Sequence, residues 1–218
     1  RLVHQDRDNP FAIFQIWLNL PKAKKKADPF FAMLWSDAIP HHVHTDENGK
    51  KTVARVIAGK IGETLAPDPA PDSWAADPKN ELAIWTIKME PGAKWTLPVA
   101  SPDVNRSLYF YEGKKLSIGT KQFNQYQAVE LQADQATELV NGDAATSLLL
   151  LQGKPIAEPV VQYGPFVTKT QAEVQQALRD YQQTEFGGWP WPSSDHVHPR
   201  NETRFAKYPD GRLEKKPL

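Results

Sequence analysis

Four of the six histidines form two short His-x-His patterns, and paired imidazoles of this kind can bind a transition-metal ion. In His41-His-Val-His44, the side chains of His42 and His44 project to the same side of an extended backbone. A firmly held ion needs a third ligand, and the nearest acid, Asp46, lies in a predicted flexible turn. A surface loop is therefore the favoured interpretation of residues 41–44, with a metal pair as the alternative. His196-Val-His198 lies in a polar tail, where a surface role is favoured more strongly.

A second group of residues could line a pocket for a small molecule. Several aromatic side chains lie on or beside predicted strands, and the mouths of β-barrels commonly bind ligands. Packing in the protein core is the competing explanation for these aromatic residues. The predicted pocket consists of Trp85, Trp95, Asn105, Arg106, Tyr109 and Tyr111, with Asn105 and Arg106 as its polar members. We predict no catalytic residue, because serines such as Ser101 and Ser107 lack a patterned histidine and acid.

Short strands are the elements that would position these residues. Apolar and polar residues alternate with a period of two, the pattern of a half-buried strand. The predicted strands are residues 14–20, 52–57, 82–89, 107–111, 115–118, 128–131, 137–140 and 146–151. The last of them is continuously apolar, which indicates burial on both faces, and the Pro-rich residues 62–80 predict a long surface loop. Many short strands separated by turn residues predict an all-β antiparallel sandwich or barrel.

One helix is predicted, near the C-terminal end of the chain. Thr170 and Glu173 have the spacing of a capping box, in which each side chain accepts a hydrogen bond from a backbone amide at the helix start. An apolar stripe at helical spacing follows, formed by Val174, Ala177, Leu178 and Tyr181. We expect this helix to run to about Gln183 and to lie against the barrel. In the tail beyond it, Trp189-Pro-Trp191 is either a strap over the barrel, which we favour, or a docking patch.

The composition excludes some classes of function. The 218 residues include 26 basic and 26 acidic side chains, so no global field favours nucleic acid or a membrane surface. The absence of cysteine excludes disulfides and thiolate metal sites, and it is compatible with the cytoplasmic location that we expect. No run approaches the ~20 apolar residues of a membrane helix. Because the chain begins at Arg1 rather than methionine, we expect a fragment of a longer protein.

Two segments of the chain resemble a known family. Leu148-Leu-Leu-Leu-Gln-Gly-Lys-Pro-Ile-Ala-Glu-Pro-Val-Val-Gln-Tyr-Gly-Pro-Phe-Val167 joins a buried strand to an irregular, Pro-punctuated segment, and Phe14-Gln-Ile-Trp-Leu-Asn-Leu-Pro21 lies near the start. Together they resemble the pirin family of double cupins, with the chain beginning halfway through a pirin. The resemblance implies a cupin barrel (a double-stranded β-helix, jelly-roll-like) with one C-terminal α-helix and an extended tail. The implied boundaries are an interdomain segment and strand at 1–20, the C-terminal cupin at 21–168, a packing helix at 169–184 and the tail at 185–218.

The resemblance also implies that this cupin binds no metal. Cupins hold a divalent ion through a His-x-His pair and a Glu on one hairpin and a His on a second hairpin. Counting from Gly92 places Pro98 and Ala100 at the two histidine positions and Asn105 at the glutamate position. The second hairpin, at residues 141–145, has no histidine. We therefore expect no metal in this chain and an iron ion in an N-terminal cupin that the chain lacks. An alternative assigns His4 and Asp6 to a remnant of that iron site.

The expected function follows from the same resemblance. The favoured hypothesis is a structural or partner-docking role beside the iron-binding N-terminal cupin, in a regulatory protein, since some pirins are transcription co-regulators. The alternative is a flavonol (quercetin) 2,3-dioxygenase whose iron site lies in the N-terminal half, so that this chain alone would be inactive. The expected partners are the N-terminal cupin of the same protein, a further protein or a second copy of the chain. Binding to a membrane or directly to nucleic acid is not expected.

Overall fold

The computed structural model describes residue 8 and residues 12–189, 204–208 and 210–216. Two compact units are present. Residues 34–157 form one of them, and the second contains the described residues before 34 and after 157. No helix in the described ranges is long and apolar enough to cross a lipid bilayer.

The unit of residues 34–157 is built from antiparallel sheets. Its strands are β1 (His41–Thr45), β2 (Lys51–Ala58), β3 (Lys60–Ile61), β4 (Thr64–Leu65), β5 (Ala83–Met89), β6 (Lys94–Leu97), β7 (Asn105–Glu112), β8 (Lys115–Ile118), β9 (Lys121–Asn124), β10 (Gln127–Gln132), β11 (Thr137–Asn141) and β12 (Thr146–Gly153). One sheet has the order β1-β2-β5-β12-β7-β10, a second the order β6-β11-β8-β9, and β3 pairs with β4. Two short 3-10 helices, Trp74–Ala76 and Pro78–Asn80, interrupt the loop between β4 and β5. The predicted all-β architecture is confirmed.

The core of this unit contains one face of each large sheet. The six-stranded sheet contributes Val56, Trp85, Ile87, Leu108, Leu148 and Leu150, and the four-stranded sheet contributes Trp95, Leu97, Leu116 and Leu139. Along β5, every second residue from Ala83 to Met89 is buried, which is the alternation expected of a strand with one core face. The first five residues of β12, Thr146–Leu150, are buried without interruption, as its continuous apolar run predicts.

The histidine segment is a strand and not the predicted loop. Residues 41–45 form β1, paired with β2 in the register His42↔Ala54 and His44↔Thr52. Alternation then places His42 and His44 on the half-buried side, where the ring of His42 lies 6.3 Å from that of Trp95. The loop interpretation missed this because β1 is an edge strand whose hydrogen bonds come entirely from β2, which the local sequence does not reveal.

The predicted strand at Phe14–Leu20 is also wrong. Residues 12–20 have no regular secondary structure, although their apolar residues alternate. The side chains of Ile13 and Trp17 are 71% and 67% exposed, so neither is covered by described residues. An alternating pattern becomes a strand only when a neighbouring strand supplies backbone partners, and no such pairing is present in the described ranges.

The second unit contains the predicted helix. Its regular elements are the 3-10 helix Lys22–Lys24, β13 (Val161–Tyr163), β14 (Phe166–Thr168), α1 (Gln171–Thr184), the 3-10 helix Glu185–Gly187, β15 (Arg204–Lys207) and β16 (Leu213–Lys216). The capping box at the start of α1 is complete, with both the Thr170 and the Glu173 side chains bonded to backbone amides. Val174, the first residue of the apolar stripe, is fully buried, and α1 packs against β13 and β14.

The described residues after Lys154 include two hairpins. The segment after Lys154 is not irregular throughout, because β13 pairs with β14, and Val160, just before β13, and Tyr163 remain 60% exposed. In the tail, β15 and β16 form the second hairpin. Its turn includes Asp210 and Gly211, two residue types that favour tight turns, and Arg212 stacks 3.5 Å from the Tyr208 ring centroid. His4, Asp6, Trp191 and His196–His198 lie outside the described residues.

Glu173→Gln is expected to destabilise the first turn of α1 near neutral pH, but not near pH 2. Glu173 accepts hydrogen bonds from the Lys22 ammonium at 2.9 Å and from the backbone amide of Lys169 at 3.0 Å, which lower its pKa to about 2. A carboxyl group with a lowered pKa stabilises the fold above its ordinary value of 4.5, and this contribution disappears as the pH falls toward 2.

The measurement is amide exchange in α1 for both proteins at pH 6 and at pH 2.5. Faster exchange in the variant at pH 6, with the difference shrinking at pH 2.5, is the expected result. Glu63→Gln is a matched control, because its carboxylate is exposed and lies outside the helix. An equal effect of Glu173→Gln at both pH values would contradict the assignment.

Candidate ligand-binding cavity

A cavity of about 630 Å³ opens at one end of the sheets in the unit of residues 34–157. Its wall is formed by residues 58–63, 65–69, 75–78, 81–83 and 98–100, together with Trp85, Arg106 and Gln152. The loop that supplies residues 75–78 is pinned by hydrogen bonds, because the Trp74 indole donates to the Lys154 carbonyl at 2.9 Å and the Asn80 amide donates to the Trp74 carbonyl at 2.7 Å. The predicted surface loop at 62–80 thus forms one side of a defined cavity.

Arg106 is a buried charged group of this cavity and is only 2% exposed. It lies on the same face of β7 as the core residue Leu108, two positions further along. Its Nε donates to Gln152 Oε1 at 2.8 Å, and its Nη2 donates to the Pro98 carbonyl at 2.8 Å. Burial lowers the pKa of the guanidinium, and the negative charge of Glu81 partly opposes this shift. The geometry therefore holds a cation in a largely desolvated position.

The side chains around Arg106 fix its orientation. The Gln152 amide nitrogen donates to the Glu81 carbonyl at 3.0 Å, which leaves Gln152 Oε1 to accept from Arg106. The Glu81 carboxylate accepts from the Ser101 hydroxyl and backbone amide and lies 3.3 Å from Lys154 Nζ. The Ser101 hydroxyl bond is the main cause of the lowered pKa of Glu81. Glu81 is thus engaged with its own partners and does not contact the guanidinium.

Two buried N–H groups in the cavity wall remain without a partner. Within the part of the chain that the structure describes, neither Arg106 Nη1 nor Trp85 Nε1 has a hydrogen-bond acceptor. Trp85 is 2% exposed, and its indole lies among core residues as well as in the cavity wall. A buried donor without an acceptor costs about 1–3 kcal/mol, so two such donors at one cavity mark it as a site for an acceptor.

The six residues predicted to share a pocket are divided by the structure. Trp85 and Arg106 line the cavity, whereas Trp95 lines a separate cleft of about 300 Å³ with His44 and Asp46. The other three, Asn105, Tyr109 and Tyr111, lie on the opposite face of β7. Successive side chains of a strand point to opposite faces, so Asn105 cannot accompany Arg106 into one mouth. The prediction combined Arg106 with three residues of the other face of this strand.

The residue that the prediction missed is Gln152, and the carbonyl of Pro98 completes the Arg106 contacts. Gln152 is 46 positions from Arg106 in sequence, and only the pairing of β12 with β7 brings them opposite one another. A sequence signal for the buried arginine does exist. Arg106, Leu108 and Phe110 share the inward parity of β7, which places a charged residue at a core-facing position.

Asp46 in the smaller cleft has a structural role. Its Oδ1 accepts from the backbone amides of Asn48 and Lys50, and its Oδ2 accepts from that of Lys94, each at 2.9 Å. Desolvation acts to raise the pKa of this carboxyl, but the three amides together lower it. The turn at 46–49 is therefore fixed by Asp46, rather than flexible as expected, and the carboxylate is already occupied by backbone donors.

The residues at the cupin metal positions do not fit a transition-metal ion. Pro98 and Ala100 line the cavity and offer no side-chain ligand, while Asn105 faces away from it. The charged group that reaches the cavity wall beside them is the Arg106 cation. Among the residues described, no cluster of three or more His, Asp or Glu side chains could hold a metal. Iron chemistry is therefore not assigned to any of these side chains.

Comparison with known proteins decides the family. Residues 84–187, which include Trp85, Arg106 and Gln152, match the family model of the pirin C-terminal cupin domain. The chain belongs to the pirin family. Pirin-1 of Arabidopsis thaliana is 31% identical over 177 residues, covering 79% of the chain and 57% of that protein. A Thermoplasma acidophilum protein provisionally named a quercetin 2,3-dioxygenase is 26% identical over 185 residues, covering 84% of the chain and 68% of that protein.

A solved structure supports the same conclusion. The quercetin 2,3-dioxygenase of Acinetobacter baumannii superposes with a TM-score of 0.66 at 27% identity, over 78% of this chain and 55% of that one. The predicted pirin resemblance and cupin fold are therefore confirmed. This pirin-family chain spans little more than half the length of several relatives, including 58% of a Vibrio cholerae relative and 57% of Pirin-1.

Proposed function

We propose that this chain has a structural and partner-docking role, with residues 34–157 as a metal-independent cupin, beside an iron-binding cupin of the same pirin-like protein. The observation that carries this proposal is the Arg106 guanidinium, which lies in the cavity wall with Pro98 and Ala100, where a metal-binding cupin needs ligands. Coulomb repulsion between a desolvated guanidinium and a divalent ion is strong at the short distances inside one cavity. The same group that completes the cavity thus disfavours a metal.

Exposed apolar residues support the docking role. In residues 12–20, Ile13 is 71% exposed, Trp17 is 67% exposed and Phe14 is 43% exposed. Contiguous apolar side chains of this kind mark interaction surfaces. We assign this segment to contact with the iron-binding cupin, because the pirin relatives are considerably longer than the part that the chain matches. The resulting assembly would be regulatory, with this chain supplying a surface rather than chemistry.

Metal analysis of the purified chain tests the proposal. After incubation with ferrous iron under anaerobic conditions and desalting, we expect far less than one ion per chain, and no oxygen uptake with quercetin. Arg106→Gln is an informative second protein, because removal of the cation still leaves Pro98 and Ala100, which offer no side-chain ligand, at the two histidine positions of a metal-binding cupin. Stoichiometric iron in the wild-type chain would contradict the proposal. Light scattering that reports a dimer, dissociated by Trp17→Ser, would instead assign residues 12–20 to self-association.

The names of several relatives favour a second candidate function. These relatives carry the name quercetin 2,3-dioxygenase, which makes flavonol oxygenation by a longer pirin-like protein the alternative. In that case the iron would be bound outside the described residues, and this cupin would only support the active half. Oxygen uptake with quercetin that requires a separate iron-binding cupin, and that this chain stimulates, would favour the alternative.

A further inference from the structure

We propose that the cavity binds the carboxylate of a small monocarboxylic acid with an apolar body, recognised by Arg106 Nη1 and Trp85 Nε1. The inference rests on the proposed function, because the cavity must be free of a metal ion. It goes further by naming the chemical class of the ligand and the two groups that would recognise it.

The Arg106 guanidinium has neither a full set of hydrogen-bond acceptors nor an ion-pair partner among the described residues. Its Nε and Nη2 are bonded to a neutral amide and a backbone carbonyl, so neither bond neutralises the charge. No ion pair involves Arg106 within the described ranges, and its Nη1 has no acceptor there. A buried charge that forms no ion pair is costly, and guanidinium groups form strong, charge-assisted hydrogen bonds with carboxylates. An anionic ligand would supply both the acceptor and the missing charge.

The residues that carry the two donors, Arg106 and Trp85, lie on the same face of one sheet. Arg106 is opposite Gln152, which is opposite Ala83, in one row across strands β7, β12 and β5. Trp85 lies in the next row on the same face, with Leu150 and Leu108. Two adjacent rows of one sheet face therefore contribute Arg106 and Trp85 to the wall of the same cavity.

The residues that line the cavity restrict which carboxylic acids can bind. Ile61, Leu82 and Val99 supply apolar surface, and a volume of about 630 Å³ is ample for a ligand with one aromatic ring. The lining also contains four carboxylates, on Glu63, Asp68, Asp77 and Glu81, and one cation besides Arg106, on Lys60. Because these acids outnumber the bases, a second negative charge on the ligand would be repelled. A single carboxylate attached to an apolar ring fits these constraints best.

Benzoate is the probe of choice for the full chain, with the indole N–H resonance of Trp85 in ¹H–¹⁵N spectra as the readout. Trp85→Phe identifies that resonance and removes the N–H donor together with part of the indole ring. We expect benzoate to shift the Trp85 signal at saturable concentrations, in protein treated with EDTA. Benzamide, which lacks the charge, and phthalate, which carries two, should each bind about tenfold more weakly or worse.

Two variants test the recognition itself. Arg106→Gln should weaken benzoate binding by about tenfold or more, since a hydrogen bond to a charged group is lost. Trp85→Phe should weaken it by about fivefold, because the N–H donor is lost while an aromatic ring remains, and this variant keeps the inference testable if Arg106→Gln impairs folding. Trp17→Phe, an exposed tryptophan outside the cavity, is the control and should bind as the wild type does.

The failure of this inference is distinct from failure of the proposed function. A Trp85 resonance that does not move with benzoate, or equal affinity in wild type and both cavity variants, would overturn the carboxylate site. Retention of stoichiometric iron by the untreated chain would instead overturn the metal-independent role. Metal content and benzoate titration measured on the same preparation separate the two.

Discussion

Asn141→Asp is expected to destabilise the unit of residues 34–157 by about 3–5 kcal/mol, the range measured when a buried charge is left without compensation. Asn141 is 4% exposed and lies at the end of β11. Its Nδ2 donates to the carbonyls of Glu90 and Ala144, both at 2.8 Å. A carboxylate has the same shape as the amide but no donor at that position, so the substitution places negative charge against two carbonyl oxygens.

The hydrogen bonds to the Asn141 Oδ1 are retained in Asn141→Asp, so the expected loss of stability comes from removal of the Nδ2 donor. This Oδ1 accepts from the Thr146 hydroxyl at 2.6 Å and from the Gly142 amide at 2.9 Å, and aspartate preserves both bonds. The loss should therefore come from the nitrogen side alone. This network holds the hairpin at 141–145, the position where a metal-binding cupin would carry its second histidine.

Urea unfolding followed by tryptophan fluorescence measures this prediction, since Trp85 and Trp95 are buried in the same unit. Asn124→Asp makes the same chemical change at an exposed site and should shift stability by no more than about 0.5 kcal/mol. A loss below about 1 kcal/mol for Asn141→Asp would mean that the buried network tolerates the charge, contrary to the expectation for uncompensated burial.

Gly59→Ala is expected to cost about 3 kcal/mol, because left-handed strain and a backbone collision add together. Gly59 has a φ of +76°, a conformation that L-residues with a side chain adopt at a cost. A Cβ there would lie 2.2 Å from the carbonyl oxygen of Leu82. The Gly59 carbonyl also accepts from the Ala66 amide at 2.9 Å, which restricts the shift that could relieve the collision.

Gly49→Ala separates the two causes. Gly49 has nearly the same φ, +73°, but a Cβ there would meet no atom within 4 Å. Its loss should be about 1 kcal/mol, from the backbone conformation alone. Both stabilities can be measured by urea unfolding. Equal losses in the two variants would show that the approach of Gly59 to Leu82 is unimportant. Because Gly59 and Leu82 both line the cavity, Gly59→Ala should also weaken benzoate binding.

Local pattern was sufficient for most of the β-structure and for the helix start. The predicted strand at residues 115–118 coincides with β8, Lys115–Ile118, and the predicted capping box is complete at Thr170 and Glu173. Alternation and capping depend on residues within a few positions of one another, so they can be recognised along the chain. The same pattern misled at residues 14–20 because strand pairing requires a partner that lies elsewhere.

The candidate site was only partly predictable. Trp85 and Arg106 were proposed as pocket residues, and the structure places both in one cavity wall. Gln152 and the Pro98 carbonyl were missed, because the contacts that orient Arg106 arise from strand pairing and from the turn after β6. The prediction also placed Asn105 in the same pocket as its neighbour Arg106. The two side chains point to opposite faces of β7, because adjacent residues of a strand alternate.

From its sequence alone, this chain could be assigned an all-β cupin fold of the pirin type and a barrel whose metal positions carry Pro98 and Ala100. The all-β class depends on periodicity, which is local, whereas the cupin fold and the metal positions came from the resemblance of residues 14–21 and 148–167 to pirins. Only the tertiary structure shows that Arg106 and Trp85 line one cavity and that each has a buried N–H without an acceptor among the described residues. Burial and hydrogen-bond pairing are properties of the packed sheets, because they depend on which distant strands become neighbours.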